Sequence, residues 1–315
     1  MRFSFVEEQR EAAAALRGLL ERECPPDVAR LPFDLGLWSR LAEMGVLGVR
    51  LEGDEVDLAL LLEECGRFLT PGPVLATAAV GIPTLEDAGE KEHAQLAAEG
   101  KEVLAVGFAG DAVAFADVAD LLLLEAEGAM HAVPRGDVRL EPVAGFSSAR
   151  PAFRVHWEPG ESTAIETSVE LARERAAFAA SVELLGIAAR LIELAAGHAK
   201  ERQQFGAPIG SFQAVKHLLA NALVRLEFAR PAVYRAACAL ANDEPGRRVA
   251  VSVAKSLASD AGTLAARNAL QVHGAIGYTE EHHLHLWLKA AWALSLAHGD
   301  ATWHRERVAA EVLRS

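Results

Sequence analysis

A short stretch in the last third of the chain places an arginine, side-chain amides and two phenylalanines around one turn rich in glycine and proline. Residues 201–215 read ERQQFGAPIGSFQAV. A guanidinium pairs well with a diphosphate, and Ser211 could cap a following helix whose N-terminus also favours an anion. A plain connection between two helices would explain the glycine and proline rhythm but not the other side chains. The stretch therefore predicts a nucleotide site, formed by Arg202, Gln204, Phe205, Phe212 and Gln213.

Two further segments with glycine turns lie between this stretch and the C-terminus. Residues 271–278 read QVHGAIGY, and residues 298–302 read HGDAT. A lone Gly274-x-x-Gly277 is typical of the turn that ends a helix. Asp300 and Thr302 would equally suit the N-cap and first turn of a last helix.

In this order and spacing, the three segments resemble the acyl-CoA dehydrogenase family of flavoproteins. The resemblance implies that the first stretch binds the adenosine-diphosphate half of FAD across a subunit interface. It also implies that Gln271, Gly274 and Ala275 meet the diphosphate of the flavin, and that Asp300 and Thr302 add further FAD contacts. Ala275-Ile276 stands where the family prefers Gly-Asn.

The resemblance implies a specific reaction, the oxidation of an acyl-CoA thioester to a 2,3-enoyl-CoA. This reaction needs a base for the α-proton, and a buried carboxylate with a raised pKa suits that task. The position of the usual catalytic glutamate is His298 here, and the alternative position found in some relatives is Ala176. Glu174 lies two residues away and is expected to point elsewhere. His298 could act as a base near neutral pH, or could simply end a helix.

The resemblance extends beyond these segments but is thin in the middle of the chain. Residues 38–48 and 63–69 resemble the first helical domain of the family, and residues 146–150 resemble the approach to a strand. The Thr-Glu-Pro and Gly-Ser-Asp turns that the family places against the flavin ring do not occur here.

Three functions remain open. The first is a subunit that contributes the FAD adenosine-diphosphate site but lacks the usual glutamate, in a heterotetramer with a catalytic acyl-CoA dehydrogenase subunit. The second is an active homodimer or homotetramer with His298 or another residue as base, which would pass electrons to an electron-transfer flavoprotein. The third is a scaffold or binding subunit without flavin.

Composition limits the class of protein. The 315 residues are 51% apolar and carry a formal net charge of −13, which argues against nucleic acid or an anionic membrane as a partner. Three scattered cysteines, no secretory signal and no run of 18 uncharged apolar residues predict a soluble, cytoplasmic protein.

Hydrophobic periodicity predicts a mostly α fold with a small β insert. The resemblance implies that this is the acyl-CoA dehydrogenase-like fold. The expected domains are a helical N-terminal domain (1–100), a reduced β-domain (101–165) and a C-terminal four-helix bundle (166–315). Asp57 is the expected N-cap of one helix, and Pro231 is expected to kink or break another. The predicted helices are 6–22, 36–48, 57–69, 73–81, 86–99, a long one through 178–196, 212–242, 246–272, 282–297 and a last one from 300 to 313. A small antiparallel unit is predicted from Val103–Phe108, Ala112–Ala116, Leu121–Glu125, Met130–Val133, Val138–Val143 and Phe153–Trp157.

A metal site is the remaining chemical alternative. Glu90-x-x-His93 and Glu280-x-x-His283 match the spacing of di-iron bundles, but Glu90 lies beside Gly89, Glu280 follows the turn at Gly277, and the two further glutamates of such a site are not evident in facing helices. We therefore predict no metal.

Overall fold

The computed structural model describes residues 5–144, 149–160 and 163–313, and in these ranges the chain is mostly helical with small sheets. The predicted fold class is confirmed. Residues 146–148, part of one stretch that resembles the family, lie outside the described residues. The chain forms two compact units, one of residues 1–62 with 70–179 and the other of residues 63–69 with 180–315.

The helices of the first unit form where apolar residues recur at helical spacing. In α1, Leu16, Leu19 and Leu20 are buried together. Asp34 caps α2 by accepting a hydrogen bond from the amide of Leu37 at 2.7 Å. The bounds are α1 (Glu7–Glu23), α2 (Leu35–Glu43), α3 (Val49–Glu52), α4 (Glu55–Phe68), a π-helical segment (Leu75–Gly81), α5 (Ile82–Asp87) and α6 (Lys91–Ala98).

The prediction that Asp57 caps α4 is wrong, because the helix begins two residues earlier. Asp54 is the acceptor, and its Oδ1 takes hydrogen bonds from the amides of Val56 at 2.7 Å and Asp57 at 3.1 Å. Asp57 returns a carboxylate oxygen to the amide of Asp54 at 3.0 Å. The two aspartates thus satisfy each other's first-turn donors in the manner of a capping box.

The strands of the first unit form two sheets around a shared apolar cluster that includes Ala105, Leu122 and Val133. One sheet has the order β1-β3-β4-β7 and the other β2-β6-β5. The strands are β1 (Leu104–Gly107), β2 (Val113–Ala114), β3 (Leu121–Ala126), β4 (Ala129–Pro134), β5 (Arg139–Val143), β6 (Ala152–His156) and β7 (Ala164–Ile165).

The prediction of a purely antiparallel unit is wrong at one pair of strands. β1 pairs with β3 in parallel, with Leu104 opposite Leu121. Between them the chain leaves the first sheet to form β2 in the second. It then re-enters the first sheet in its original direction, as a parallel pair requires.

The second unit is a helical bundle in which α9 packs against three neighbours, α8, α10 and α11. Residues 63–69, which include the last six residues of α4, belong to this unit. No helix in the described ranges is long and apolar enough to cross a membrane. The remaining helices are α7 (Val169–Glu201), α8 (Gln213–Ala241), α9 (Arg247–His273), α10 (Leu284–Leu296) and α11 (Ala301–Val312).

Two glycines allow α4 and α7 to cross in close contact within this unit. A Cβ added at Gly186 would lie 2.6 Å from the amide nitrogen of Arg67 and closer still to the carbonyl oxygen of Glu63. A Cβ at Gly66 would lie 2.8 Å from the Cα of Glu183. The two helix backbones therefore lie so close together that neither glycine position has room for a Cβ.

The predicted break at Pro231 does not occur, since α8 continues through it to Ala241. Pro231 is exposed, so water can reach the backbone carbonyl that loses its helical donor. The preceding Arg230 donates to both carboxylate oxygens of Glu63, with one of these hydrogen bonds at 2.6 Å. Tyr234 donates to the same carboxylate at 3.1 Å.

Candidate functional site

The stretch after α7 forms a small hairpin that projects an aromatic ring. Its two strands are β8 (Gln203–Gln204) and β9 (Ala207–Pro208), joined by Phe205 and Gly206 with φ of 54° and 78°. The amide of Ile209 donates to the carbonyl of Arg202 at 2.8 Å and closes the base of the hairpin. The side chain of Phe205 is 94% exposed and meets Phe212 edge-on, with ring centroids 6.1 Å apart. The hairpin therefore offers both rings for contact.

The polar residues predicted for this site lie at the hairpin and at the first residue of α8. Arg202, Gln204 and Gln213 are all exposed. The predicted capping role of Ser211 is wrong, because its hydroxyl donates to the carbonyl of Pro208 at 2.7 Å. Phe212 occupies the N-cap position, and no side chain in the described ranges caps it. The first turn of α8 thus follows directly on a hairpin that carries exposed cationic, amide and aromatic side chains, a combination that suits an anionic ligand.

Stacked histidines bring the second predicted segment to this hairpin. His198 lies one helical turn before Arg202, and its carbonyl accepts the Arg202 amide at 2.9 Å. Its ring stacks on that of His273, with centroids 4.4 Å apart, and His282 meets His273 edge-on at 4.8 Å. Gln271 and Ala275 are exposed beside this contact, and Gly274 turns the chain there with φ of 62°.

The three histidines favour their neutral forms. Burial lowers the pKa of His198, and the charges of His282 and Arg202 lower it further. Burial likewise lowers the pKa of His273, against the opposing effect of its hydrogen bond to the carbonyl of Ala269 at 2.8 Å. The pKa of His282 is lowered by burial and then by its histidine neighbours. Neutral rings can stack without charge repulsion.

The remaining predicted residues lie elsewhere in the bundle, on the turn between α10 and α11. Asp300 caps α11, as predicted, by accepting the amide of Trp303 at 2.8 Å, and Thr302 is exposed in its first turn. The carbonyl of the neighbouring Gly299 accepts a hydrogen bond from Lys255 of α9 at 2.9 Å. Lys255 and Gln271 are 16 residues apart on the same helix, which corresponds to about 24 Å. One chain therefore presents two groups of candidate residues, at separate places along α9.

The two positions at which a base was expected from the resemblance hold no carboxylate. His298 is partly buried on the same turn, has φ of 56°, and offers its carbonyl to Nε2 of His304 at 3.0 Å. Ala176 is buried in α7, and Glu174 is buried in the same helix.

The residues of the metal alternative have other partners. Nδ1 of His93 lies 2.9 Å from a carboxylate oxygen of Glu102, and Glu280 accepts a hydrogen bond from Lys289 at 3.1 Å. Among the residues whose placement is known, no group of three or more His, Cys, Asp or Glu side chains could hold a metal ion.

Sequence reasoning missed two residues that shape these groups, His198 and Lys255. His198 could have been found, since a spacing of four residues places it beside Arg202 on one helix face. Lys255 gave no signal, because a single lysine in a helical pattern is usually a solvated residue.

Comparisons with known proteins show the family of the chain. The family model for the acyl-CoA dehydrogenase C-terminal domain matches residues 162–313. Acyl-CoA dehydrogenase IpdE2 of Mycolicibacterium smegmatis is 30% identical over 318 residues, covering 96% of this chain and 97% of that protein. The chain belongs to the acyl-CoA dehydrogenase family.

Another acyl-CoA dehydrogenase, FadE34 of Mycobacterium tuberculosis, is 35% identical over 293 residues. The match covers 85% of this chain but only 41% of that longer relative. The acyl-CoA dehydrogenase fold is also that of two solved structures, each covered completely with a TM-score of 0.87. They are the ChsE4-ChsE5 complex from Mycobacterium tuberculosis, at 22% identity, and butyryl-CoA dehydrogenase from Megasphaera elsdenii, at 18%.

Proposed function

We propose that the chain is a subunit of an acyl-CoA-oxidising flavoprotein that helps to bind FAD while a partner subunit supplies the catalytic base. The reaction is the oxidation of an acyl-CoA thioester to the 2,3-enoyl-CoA. The observation that carries the proposal is the absence of a carboxylate at the two positions where the resemblance places the base. These positions hold His298 and Ala176 in this chain. A chain with this fold that keeps residues suited to a nucleotide but lacks the carboxylate is suited to completing the FAD site of a catalytic subunit.

The residues of the hairpin fit the adenosine-diphosphate half of FAD. Arg202 and the start of α8 can neutralise a diphosphate, while Gln204 and Gln213 can satisfy polar groups of the nucleotide. Phe205 exposes almost its whole ring, and an adenine packed on that face would cover apolar surface now open to water. Gln271, Gly274 and Ala275 would approach the same diphosphate.

A second subunit is part of this proposal. The two groups of candidate residues lie about 24 Å apart along α9, so neighbouring chains would each complete part of a site. Apolar side chains of α8 are exposed, including Phe228 at 73%, with Leu223 and Val224 one turn earlier. We infer an oligomer built on the bundle, with an apolar interface above about 2,000 Å². A heterotetramer with a catalytic acyl-CoA dehydrogenase subunit fits best, and one fold relative was solved as the ChsE4-ChsE5 complex.

The chemistry would be divided between the subunits. Bound FAD would supply the acceptor for the hydride that leaves the β-carbon of the acyl group. The α-proton would leave to a carboxylate of the partner, because His298 has a different reach and would become a partly buried cation on accepting a proton. This chain would bind and orient the nucleotide end and exclude water from it.

The experiment compares the chain purified alone with the chain co-expressed with any acyl-CoA dehydrogenase whose gene lies beside its own. We expect weak flavin absorption and little acyl-CoA oxidation by the chain alone, with an artificial electron acceptor. The complex should show both. A chain that remains monomeric at micromolar concentration with every candidate partner would contradict the proposal.

Substitution of His298 separates the remaining functions. His298→Ala should leave the rate of the complex within a few-fold if the partner carries the base. If His298 is itself the base, the rate should fall by about 10²–10⁴. Robust turnover by the single chain, abolished by His298→Ala, would instead establish an active homomeric enzyme that could reduce an electron-transfer flavoprotein. Absence of flavin in every assembly would favour a scaffold subunit.

A further inference from the structure

A buried lysine holds the turn that carries His298 and Asp300. Lys255 lies within α9 and is completely buried. In the described part of the chain, its Nζ donates to the hydroxyl of Ser259 at 3.1 Å and to the carbonyls of Ser295 at 3.2 Å and Gly299 at 2.9 Å. Ser295 is next to the last residue of α10, so its carbonyl has no acceptor role within that helix. Lys255 therefore satisfies one carbonyl at the end of the helix and another inside the turn.

The turn is fixed at three successive residues. His298 and Gly299 both have left-handed backbones, with φ of 56° and 93°. The carbonyl of His298 accepts from His304, that of Gly299 accepts from Lys255, and the Asp300 carboxylate accepts from the Trp303 amide. A non-glycine residue in the left-handed region persists only where its surroundings hold it, and such positions cluster at functional sites. Lys255 and His304 provide that support from two different helices.

The protonation state of Lys255 decides how many of these contacts it can make. An ammonium has three N–H donors, which match the three acceptors, whereas a neutral amine has two. Burial lowers the pKa of Lys255 to about 7, and the Asp300 carboxylate opposes this effect. Near neutral pH the group therefore exchanges between a form that donates to all three oxygens and one that can donate to only two, while the Ser295 carbonyl keeps a hydrogen bond from the Ser259 hydroxyl at 3.3 Å.

Other charged and titratable groups face this cluster. From α11 and the turn come His298, Asp300, His304 and Arg307. The pKa of His304 is lowered to about 4 by burial and by the charges of Lys255 and Arg307, so it stays neutral in the range where Lys255 titrates. Asp260, the residue after Ser259 on α9, forms an ion pair with Arg305 at 2.5 Å.

We propose that Lys255 is a positioning residue whose ammonium fixes the turn of His298 and Asp300. Binding of an anionic ligand at this turn is then coupled to protonation of Lys255. This inference rests on the proposed function, in which that turn borders the FAD or acyl-CoA site. The negative charge of a diphosphate would favour the ammonium over the amine. Affinity should therefore fall as pH rises through neutrality. If the ligand raises the Lys255 pKa by one unit, the loss reaches about tenfold.

The test measures FAD affinity from pH 6 to 9 in the assembled protein, with Lys255→Met as the variant and Lys289→Met as the control. Lys289 is a surface residue of α10 paired with Glu280. The wild type and Lys289→Met should lose affinity as pH rises, while Lys255→Met should bind more weakly at pH 6 and show a flatter profile. A Lys255→Met protein with the wild-type pH profile would overturn the proposal.

Two further measurements keep the outcome decisive. Hydrogen exchange of residues 297–304, expressed as protection relative to the intrinsic rate, should fall with pH in the wild type and not in Lys255→Met. If the wild type binds no FAD in any assembly, the proposed function fails, and this exchange measurement alone decides the role of Lys255. If Lys255→Met does not fold, Asp300→Asn replaces it. Removal of the opposing carboxylate should move the pH midpoint of exchange downward, and an unchanged midpoint would refute the role of Lys255.

Discussion

Nδ1 of His282 accepts a hydrogen bond from the backbone amide of Leu284, 3.0 Å away. The imidazole thereby satisfies one of the first amides of α10, and it can do so only while Nδ1 carries no proton. The same ring is packed against His273, whose partner in the stack is His198. One hydrogen bond therefore links the start of α10 to the protonation of the whole histidine cluster.

Stability should decrease in mild acid because of these histidines. Burial holds the folded pKa of His282, His273 and His198 below the usual 6.5. Their contribution to the free energy of unfolding is therefore complete above about pH 6.5 and is lost as pH falls through the lower folded values. Urea unfolding at pH 8.0, 6.5 and 5.5 measures this loss. His282→Asn, which keeps an acceptor but does not titrate, should show a shallower loss, and an identical pH dependence would contradict this account.

The contact between α4 and α7 should not accept a side chain at Gly186. Gly186→Ala places a Cβ against the backbone of Glu63 and Arg67, so we expect a loss of about 3 kcal/mol or more in the free energy of unfolding. Gly197→Ala on the same helix is the matched control, because its added Cβ meets nothing within 4 Å. There the better helix propensity of alanine should stabilise by about 0.5–1 kcal/mol. Equal effects in denaturant unfolding would show that the helices do not cross as described.

The buried carboxylate of Glu63 should matter more than an exposed ion pair. Arg230→Met removes the guanidinium from a buried carboxylate to which Tyr234 also donates, and we expect a loss of about 3–5 kcal/mol in the free energy of unfolding. Arg305→Met breaks the more exposed pair with Asp260 and should cost about 1 kcal/mol or less. Urea midpoints of the two variants should differ clearly, and similar midpoints would mean that the Glu63 network adds little.

Removal of the hairpin arginine should weaken FAD binding. Arg202→Ala deletes a charge-assisted contact worth about 1.5–3 kcal/mol, which corresponds to roughly tenfold or more in affinity. Fluorescence titration of the assembled protein measures it. Arg10→Ala, which removes an equal charge from an exposed position in α1, serves as the control. Unchanged FAD affinity in a well-folded Arg202→Ala protein would show that FAD does not bind at the hairpin.

Sequence patterns predicted most helices because their apolar residues recur with one period over several turns. They were less reliable where one or two atoms decide the outcome. From the sequence alone, Asp54 and Asp57 are equally good N-caps, and only the observed start of the helix at Glu55 distinguishes them. The break expected at Pro231 depends on local chemistry that solvent exposure offsets. The parallel pairing of Leu104 with Leu121 depends on a strand in the other sheet, which no local pattern reveals.

The candidate site shows the same division. Arg202 and Phe212 were identifiable because a run of unusual residues surrounds one turn. Their relation to Gln271 depends on the contact between His198 and His273, which are 75 positions apart in the chain. Lys255 acquires its role from the carbonyls of Ser295 and Gly299. A sequence does not show which backbone carbonyls a side chain will contact. Roles created by main-chain atoms could be read only from the structure.

The glycine contact between α4 and α7 has a practical consequence for how the protein can be divided. A fragment that starts at residue 166 would carry every helix from α7 to α11 but not residues 63–69. It would expose a bare strip of backbone at Gly186 and leave Arg230 without its buried anion. The bundle is thus completed by a seven-residue segment encoded a hundred positions upstream. Any attempt to express, transplant or redesign the C-terminal helices must bring that segment with them.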